Sequence, residues 1–318
     1  MAGDFTELMS RSDAAADLPV QLAQELVTGT IRASTALALG RHVPTTTRDS
    51  RIPVLTQIPE AYWVDGDTGL KQTTKAVFSN KTLIAEEIAA VAPIPQSVVD
   101  DSAFPLWEYV QPLLVQACGK RLDDAILFGN GKPASWGNSL VEDAVATGAN
   151  VFSTDVFNAG TDSPRCVLNA AQMISMQGYA PTGAAVAPGW QYRASAALTQ
   201  SLVANPLGAN SPFPLLLGGL GLHTDPLRWD PVAADAIVAQ WDNVLVGIRQ
   251  DVKLQIFDTG VITDDTGAIV ANLLQQDMLA CRVTMRVGYL LAKPPTDAPL
   301  DEAHRSPVAL VVNSAASA

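Results

Sequence analysis

The sequence predicts an α+β protein, and three stretches of the 318-residue chain carry that reading. A long helical pattern runs from Pro105 to Ile126, a threonine- and proline-rich extended region spans Arg41 to Asn80, and the last third alternates apolar and polar residues at strand period. The length allows a sizeable buried core and about two domains.

Taken in order, Asp17 and Pro19 form a good helix cap and first turn. Leu22, Ala23, Leu26, Val27 and Ile31 then follow at helical spacing, so residues 18–33 are expected as an amphipathic helix. Short extended pieces at Arg51–Leu55 and Tyr62–Val64 flank the turn Asp65-Gly66-Asp67-Thr68-Gly69, which predicts a long β-hairpin with little core of its own. A two-stranded arm is marginal alone in water, so it is expected to lie on a neighbouring domain or a neighbouring subunit. Thr74–Val91 reads as extended, and Asp100-Asp101-Ser102 precedes the long helix, whose apolar face includes Leu106, Val110, Leu114, Cys118, Leu122 and Ile126. Gly129 closes it, and Pro112 and Gly119 predict a bend. Pro164–Gly178 and Gly189–Val203 read as helices around the loop Asn205–Pro212. Val244, Val246 and Ile248, then Val252, Leu254 and Ile256, are expected on one face of a strand. Leu279, Cys281, Val283, Met285, Val287 and Tyr289 are expected opposite Arg282, Thr284 and Arg286 on another.

Composition narrows the function classes. Hydrophobic residues make up 48% and charged residues 16%, below the roughly 25% charged usual for soluble domains, which fits covered surface in an oligomer or a large monomer rich in alanine and small loops. The formal net charge of −12 gives no general attraction to phosphate backbones. Cys118, Cys166 and Cys281 are odd in number and widely spaced, which predicts free buried thiols and a reducing compartment. The N-terminus lacks a signal-peptide pattern and no apolar run is long enough for a transmembrane helix, so no membrane association is expected.

Candidate chemistry is sparse. Gly129-Asn130-Gly131-Lys132-Pro133 fails as a phosphate loop, because Ile126 and Pro133 stand where glycine and a hydroxyl residue are required; a helix-ending turn is expected. His42, His223 and His304 stand far apart, and His223 to Asp230 is expected to supply surface hydrogen bonds and no metal site. The pairs Glu86-Glu87, Asp100-Asp101, Asp123-Asp124 and Asp264-Asp265 are sequence neighbours that do not face each other; each is expected to be solvated or capping. Arg282 and Arg286 fit either plain exposure or a salt bridge at a subunit contact. No catalytic, cofactor-binding or metal residue is assigned, and the chain is expected not to be an enzyme.

The order of elements, with Ala61-Tyr62-Trp63-Val64-Asp65-Gly66-Asp67, Asp100-Asp101-Ser102, Arg121–Gly131, Gly178-Tyr179-Ala180-Pro181, Leu217–Leu222 and Val246-Gly247-Ile248-Arg249, resembles the tailed-phage major capsid protein family over residues 18–297. The resemblance implies that family's fold. Residues 1–42 would be an N-terminal arm, 43–82 the E-loop, 83–150 and 252–300 a P-domain with its spine helix and long strands, 151–251 the A-domain, and 301–318 a C-terminal tail. Asn205–Pro214 would be a loop near the hexamer and pentamer centres. It implies a structural subunit that assembles with itself, as hexamers and pentamers, into the icosahedral head enclosing phage DNA without binding it specifically. Partners would include a portal, a separate scaffolding protein, and a cement protein, with assembly in the host cytoplasm and final location in the virion. Relatives with a fused scaffolding region carry a longer leader, so here either the scaffold is separate, as Met1 favours, or the region has been removed.

Some relatives cross-link an E-loop lysine to a P-domain asparagine near a glutamate. Here Asp277 and Thr284 align with those two positions, so no self-catalysed isopeptide bond is expected, although Lys71, Lys75 and Lys81 lie on the hairpin. The alternatives are an encapsulin-type nanocompartment shell of the same fold and a soluble mixed α/β enzyme.

Overall fold

The computed structural model describes residues 34–64, 73–102, 106–154, 163–190, 192, 220–224, 229–264, 266–298 and 301–312. The helix expected over residues 18–33, most of that expected over 189–203, and the loop near residue 205 lie outside them. In chain order the described elements begin with α1 (Thr35–Leu39), β1 (Arg41–Pro44), β2 (Asp49–Gln57), β3 (Val77–Pro95), α2 (Gln96–Asp101) and α3 (Leu106–Asp123). A π-helical turn, Asp124–Phe128, extends α3, followed by α4 (Leu140–Thr147), β4 (Val151–Ser153), α5 (Ser163–Met176), β5 (Gly183–Val186), β6 (Gly221–Thr224) and β7 (Ala236–Ala239). The chain continues through β8 (Val244–Phe257), β9 (Val261–Thr263), β10 (Ile269–Asn272), β11 (Met278–Leu291) and β12 (Val308–Val312). The α+β class expected from the sequence is the observed one. Among the described residues, no helix is long and apolar enough to cross a membrane.

The chain divides into two compact units, one including Glu87–Arg121 and Gln250–Val287, the other Ser34–Glu86, Leu122–Arg249 and Gly288 onward. In the first unit, Ile94, Val98, Leu106 and Val110 form one apolar cluster, and Ala271, Leu273, Met278 and Ala280 form another under the β9–β10 hairpin. The second unit contains a sheet ordered β4-β12-β7-β5-β6. Strands β5 and β7 are buried at every position, so they read as uninterrupted apolar runs without alternation. Strand β12 pairs in parallel with β4 and antiparallel with β7. The segment expected as a C-terminal tail therefore supplies an interior strand, fully buried from Val308 to Val311.

A buried polar set fixes that strand. The Asn150 amide donates to the Val308 carbonyl at 2.7 Å, Gln177 Nε2 donates to Asn150 Oδ1 at 2.6 Å, and the Ser306 N–H donates to Gln177 Oε1 at 2.9 Å. Ser306 Oγ donates to Asp143 at 2.6 Å, and Asp143 also pairs with Lys293. Each amide is satisfied, so the burial costs little and specifies one register.

The long helix ends close to where expected. Its last turn widens into the π-helical stretch, and Gly129 takes φ 78°, with its N–H bonded to the Asp124 carbonyl, the left-handed terminator for which glycine is suited. Two expectations are corrected. Tyr62–Val64 is not a strand: the pairing of β2 with β3 ends at Gln57 opposite Val77, Pro59 follows, and the Glu60 N–H donates to the Thr74 hydroxyl at 2.9 Å instead of to a strand partner. On β8, Val252 and Ile256 are exposed, at 41% and 47%, and do not share a buried face with Val244 and Val246, which are fully buried. β1 runs beside β8 only from Leu245 to Ile248, so the rest of that strand has a less covered edge.

Candidate assembly interface

Strands β2 and β3 pair antiparallel from Asp49 opposite Ile84 to Gln57 opposite Val77, with an irregularity between Leu55 and Gln57, so the partner of the first expected strand is β3 and not Tyr62–Val64; the turn expected at Asp65–Gly69 lies outside the described residues. Val54 is the one buried residue of β2. Toward the tip, apolar side chains stand in water: Trp63 is 98% exposed and Phe78 66%, with Tyr62 and Val64 also exposed. Covering a large apolar side chain contributes about 1.5–3 kcal/mol, so this surface would gain by being covered.

The root, in contrast, is tightly held. Leu83 is fully buried with Leu245 and Ala292, against Val43, Ile52 and Leu290. It fits because the facing strands carry glycines: a Cβ on Gly247 would lie 2.6 Å from Leu83 Cδ2, and one on Gly288 2.3 Å from it. Polar contacts add to this. The Trp136 indole donates to the Ile84 carbonyl at 3.0 Å, and the Ala85 N–H to the Arg48 carbonyl at 2.8 Å. Glu86 Oε1 accepts from Arg48 at 2.9 Å and from Ser135 Oγ at 2.8 Å. Arg48 holds the Glu86 carboxyl below its usual range. Lys81 bonds Glu302 at 2.7 Å and lowers that carboxyl likewise. The result is a hairpin with a firmly held root and exposed apolar side chains beyond it, a surface suited to contact with a second body.

A second latch lies at α1. Asp123, only 1% exposed, accepts from Ser34 Oγ at 2.5 Å, from the Thr35 N–H at 3.1 Å and from the Ala36 N–H at 2.9 Å. The pair Asp123-Asp124 is buried, and of the two expected places, solvated or capping, Asp123 takes the second by capping a helix distant in sequence.

The other candidates stay apart. Lys132 pairs with Glu142, which completes a capping box with Ser139, so the glycine loop is the helix-ending turn expected. His42 meets the Leu37 carbonyl at 2.7 Å, His223 lies in β6, and Asp230 bonds the Val232 and Ala233 N–H groups of its own turn. Among the described residues no group of three or more His, Cys, Asp or Glu side chains could hold a metal. Glu87 pairs with Arg286 at 2.7 Å, and Asp264 closes its own turn through the Thr266 and Ala268 N–H groups. Arg282 bonds Gln255 at 2.8 Å and stacks 4.7 Å over the Phe257 ring, so both arginines have partners within the chain. Thr284, expected on their polar face, is buried. Asp277 has φ 51°, and its carbonyl accepts the Gln96 N–H at 2.9 Å. Lys75 is exposed, and Lys71 lies outside the described residues. All three cysteines are buried thiols outside any disulfide, as expected, and burial raises the Cys118 and Cys281 thiol pKa values.

Sequence reasoning missed the Asp123 latch and the glycine pair around Leu83. Gly247 and Gly288 each carried a signal, since an isolated glycine in a strand marks close approach.

The fold is similar to that of solved phage chains. A structure from Microbacterium phage Oxtober96 is 29% identical with a TM-score of 0.76, covering 96% of this chain and 100% of that one. Another from Mycobacterium phage Adephagia is 28% identical with a TM-score of 0.75, covering 96% and 97%. The "Major capsid protein" of Staphylococcus phage 80alpha is 23% identical over 267 residues, 81% of this chain and 76% of that protein. The pattern of the phage capsid family matches residues 17–190, more than half the chain. The chain belongs to the phage capsid family.

Proposed function

We propose that this protein is a major capsid protein, assembling with itself as hexamers and pentamers into the icosahedral head that encloses phage DNA. The observation that carries the reading is the firmly rooted hairpin ending in the 98%-exposed Trp63. Phage relatives favour this over a cellular nanocompartment. The protein has a structural role and no catalysis of its own. Its further partners are a separate scaffolding protein, a portal and a cement protein; it assembles in the host cytoplasm and resides in the virion. The domain division that goes with this reading is arm 1–42, E-loop 43–82, P-domain 83–150 and 252–300, A-domain 151–251 and tail 301–318. Residues 301–318 add β12 to the sheet whose other strands belong to the A-domain.

Electron microscopy of the purified protein tests this, with closed shells expected for the natural sequence. Trp63→Glu is expected to leave the melting temperature unchanged while particles disappear in favour of small species in sedimentation. A natural protein that stays a small oligomer under all assembly conditions overturns the proposal. Asp277 and Thr284 stand where cross-linking relatives carry asparagine and glutamate, so the shell is held by noncovalent contacts. Mature particles are expected to run as a single monomer band in denaturing gels; a covalent ladder contradicts this.

A further inference from the structure

The sheet ordered β4-β12-β7-β5-β6 is completed from the inside by the last-made of its strands. Strand β12 follows β7 by about 70 residues, so at about 5–20 residues per second β5 and β7 leave the ribosome several seconds before it. Pairing two strands takes only microseconds. Yet β12 lies between β7 and β4, and among the described strands it is β4's one neighbour in the sheet. The place it fills is prepared on both sides. The Asp235 and Gln240 N–H groups donate to the Val311 and Pro307 carbonyls at 2.6 and 2.9 Å, and the Leu310 N–H donates to the Asn150 carbonyl at 2.7 Å. Asp143, Asn150 and Gln177, all buried, hold Ser306 and Val308 through the polar set described above. Helices α4 and α5 both pack on β12, and Val308–Val311 are fully buried.

We infer that β12 is the closing strand of this second unit: until residues 306–312 insert, the unit is an open cleft between β4 and β7 that takes up one extended strand, with β5 and β7 already paired. Before insertion, the Asn150 and Gln177 amides and the Asp235 and Gln240 N–H groups lack the partners that β12 supplies, and β7 presents an apolar edge. An uncovered edge of that kind pairs readily with another chain. The cleft is selective for its occupant. Asp143 takes both the Ser306 hydroxyl and the Lys293 ammonium, so the fitting segment carries a hydroxyl where the strand begins and a cation upstream of it. The chain's own segment brings both. Tethered through residues 292–305, it stands at roughly millimolar effective concentration beside the cleft, ahead of any free chain. A chain whose β12 is still within the ribosome is thereby held out of assembly; that consequence rests on the shell reading above, and the insertion itself does not.

Leu310→Pro in the full chain tests it by hydrogen exchange. Proline removes the N–H that bonds the Asn150 carbonyl and is not tolerated in a central strand, so the variant's own strand fails to insert while the cleft remains. Exchange at the Asp235 and Gln240 amides is expected to speed about a hundredfold, as local opening there becomes cheap. The Thr182 and Ala187 amides, which bond the Ala239 and Asp235 carbonyls across the β5–β7 pair, should stay protected. A synthetic peptide of residues 305–312 should restore protection at Asp235 and Gln240; the same peptide carrying Leu310→Pro should not. Unchanged exchange in the variant overturns the proposal. Loss of protection throughout the unit, unrescued by the peptide, also overturns it, because no cleft then stands open. A second measurement uses the natural chain on the ribosome, fused to a translation-arrest peptide through linkers of increasing length. A pulling-force peak is expected at the length that first brings Val312 clear of the exit tunnel; no peak there means the unit closes without β12 and sinks the idea. Shell formation is read separately by microscopy, so either reading can fail alone.

Discussion

Gly288→Ala is expected to be among the most damaging single-methyl additions in the protein. The new Cβ would sit 2.3 Å from Leu83 Cδ2, 2.9 Å from the Ile84 carbonyl oxygen and 3.1 Å from its carbon. Leu83 can yield by changing rotamer, but the Ile84 backbone is held in the β2–β3 ladder and by the Trp136 indole. Overpacking of this kind costs about 1–3 kcal/mol and more where backbone must shift. Gly247→Ala makes a useful contrast. Its Cβ would meet Leu83 Cδ2 at 2.6 Å, Leu83 Cδ1 at 3.2 Å and Thr45 Cγ2 at 3.0 Å, side-chain atoms in every case. Leu83→Ala alone opens a cavity and costs about 2–5 kcal/mol. Combined with Gly247→Ala it should recover most of that variant's loss; combined with Gly288→Ala it should recover only part, because the Ile84 backbone remains in the way. Urea unfolding of the singles and doubles reads out these couplings, which should exceed about 1 kcal/mol for contacting residues. Additive losses at both glycines would mean that Leu83 does not fill the space between these strands.

That packing also marks the limit of what the sequence made legible. Periodicity placed α3, α5, β8 and β11, because each buries one face against a core and the requirement repeats along the element. It failed at Val252 and Ile256, where the apolar spacing is present but the covering strand β1 stops at Ile248. Val308–Val312 was read as a tail, although its run of valine and leucine is the composition of a doubly buried strand. A five-residue run beside a chain end lacks the length that separates strand from incidental apolarity. At the candidate interface, the first strand of the hairpin was legible from the extended, threonine- and proline-rich stretch, while its partner is β3 and not Tyr62–Val64. The hairpin's root was not legible: Lys81 meets Glu302 across 221 positions of sequence, and no local pattern encodes such a pair.

The same distance hid Asp123, whose substitution carries the second large effect. Ser34 and Asp123 are 89 positions apart, and three donors converge on one buried carboxyl group. Asp123→Ala removes the acceptors and leaves the Ser34 hydroxyl and the Thr35 and Ala36 N–H groups buried beside a void; Ser34 and Thr35 are 3% and 0% exposed. Stranding buried donors costs about 1–3 kcal/mol each when no water replaces the acceptor, so a loss of about 3 kcal/mol is expected even if water reaches some of them. Asp123→Asn should cost about half as much. Its remaining oxygen can stay at the position that serves Ser34 Oγ and the Ala36 N–H, but its amide nitrogen then faces the Thr35 N–H, a donor against a donor. Ser34→Ala removes one donor together with the hydroxyl that caps Leu37, so it should cost about 1 kcal/mol. Chemical denaturation should therefore rank the variants Asp123→Ala, then Asp123→Asn, then Ser34→Ala. Hydrogen exchange should show the losses concentrated at the amides of Thr35, Ala36 and Leu37. Equal stability of Asp123→Ala and the natural protein would show that α1 is held by its packing and not by this carboxyl group.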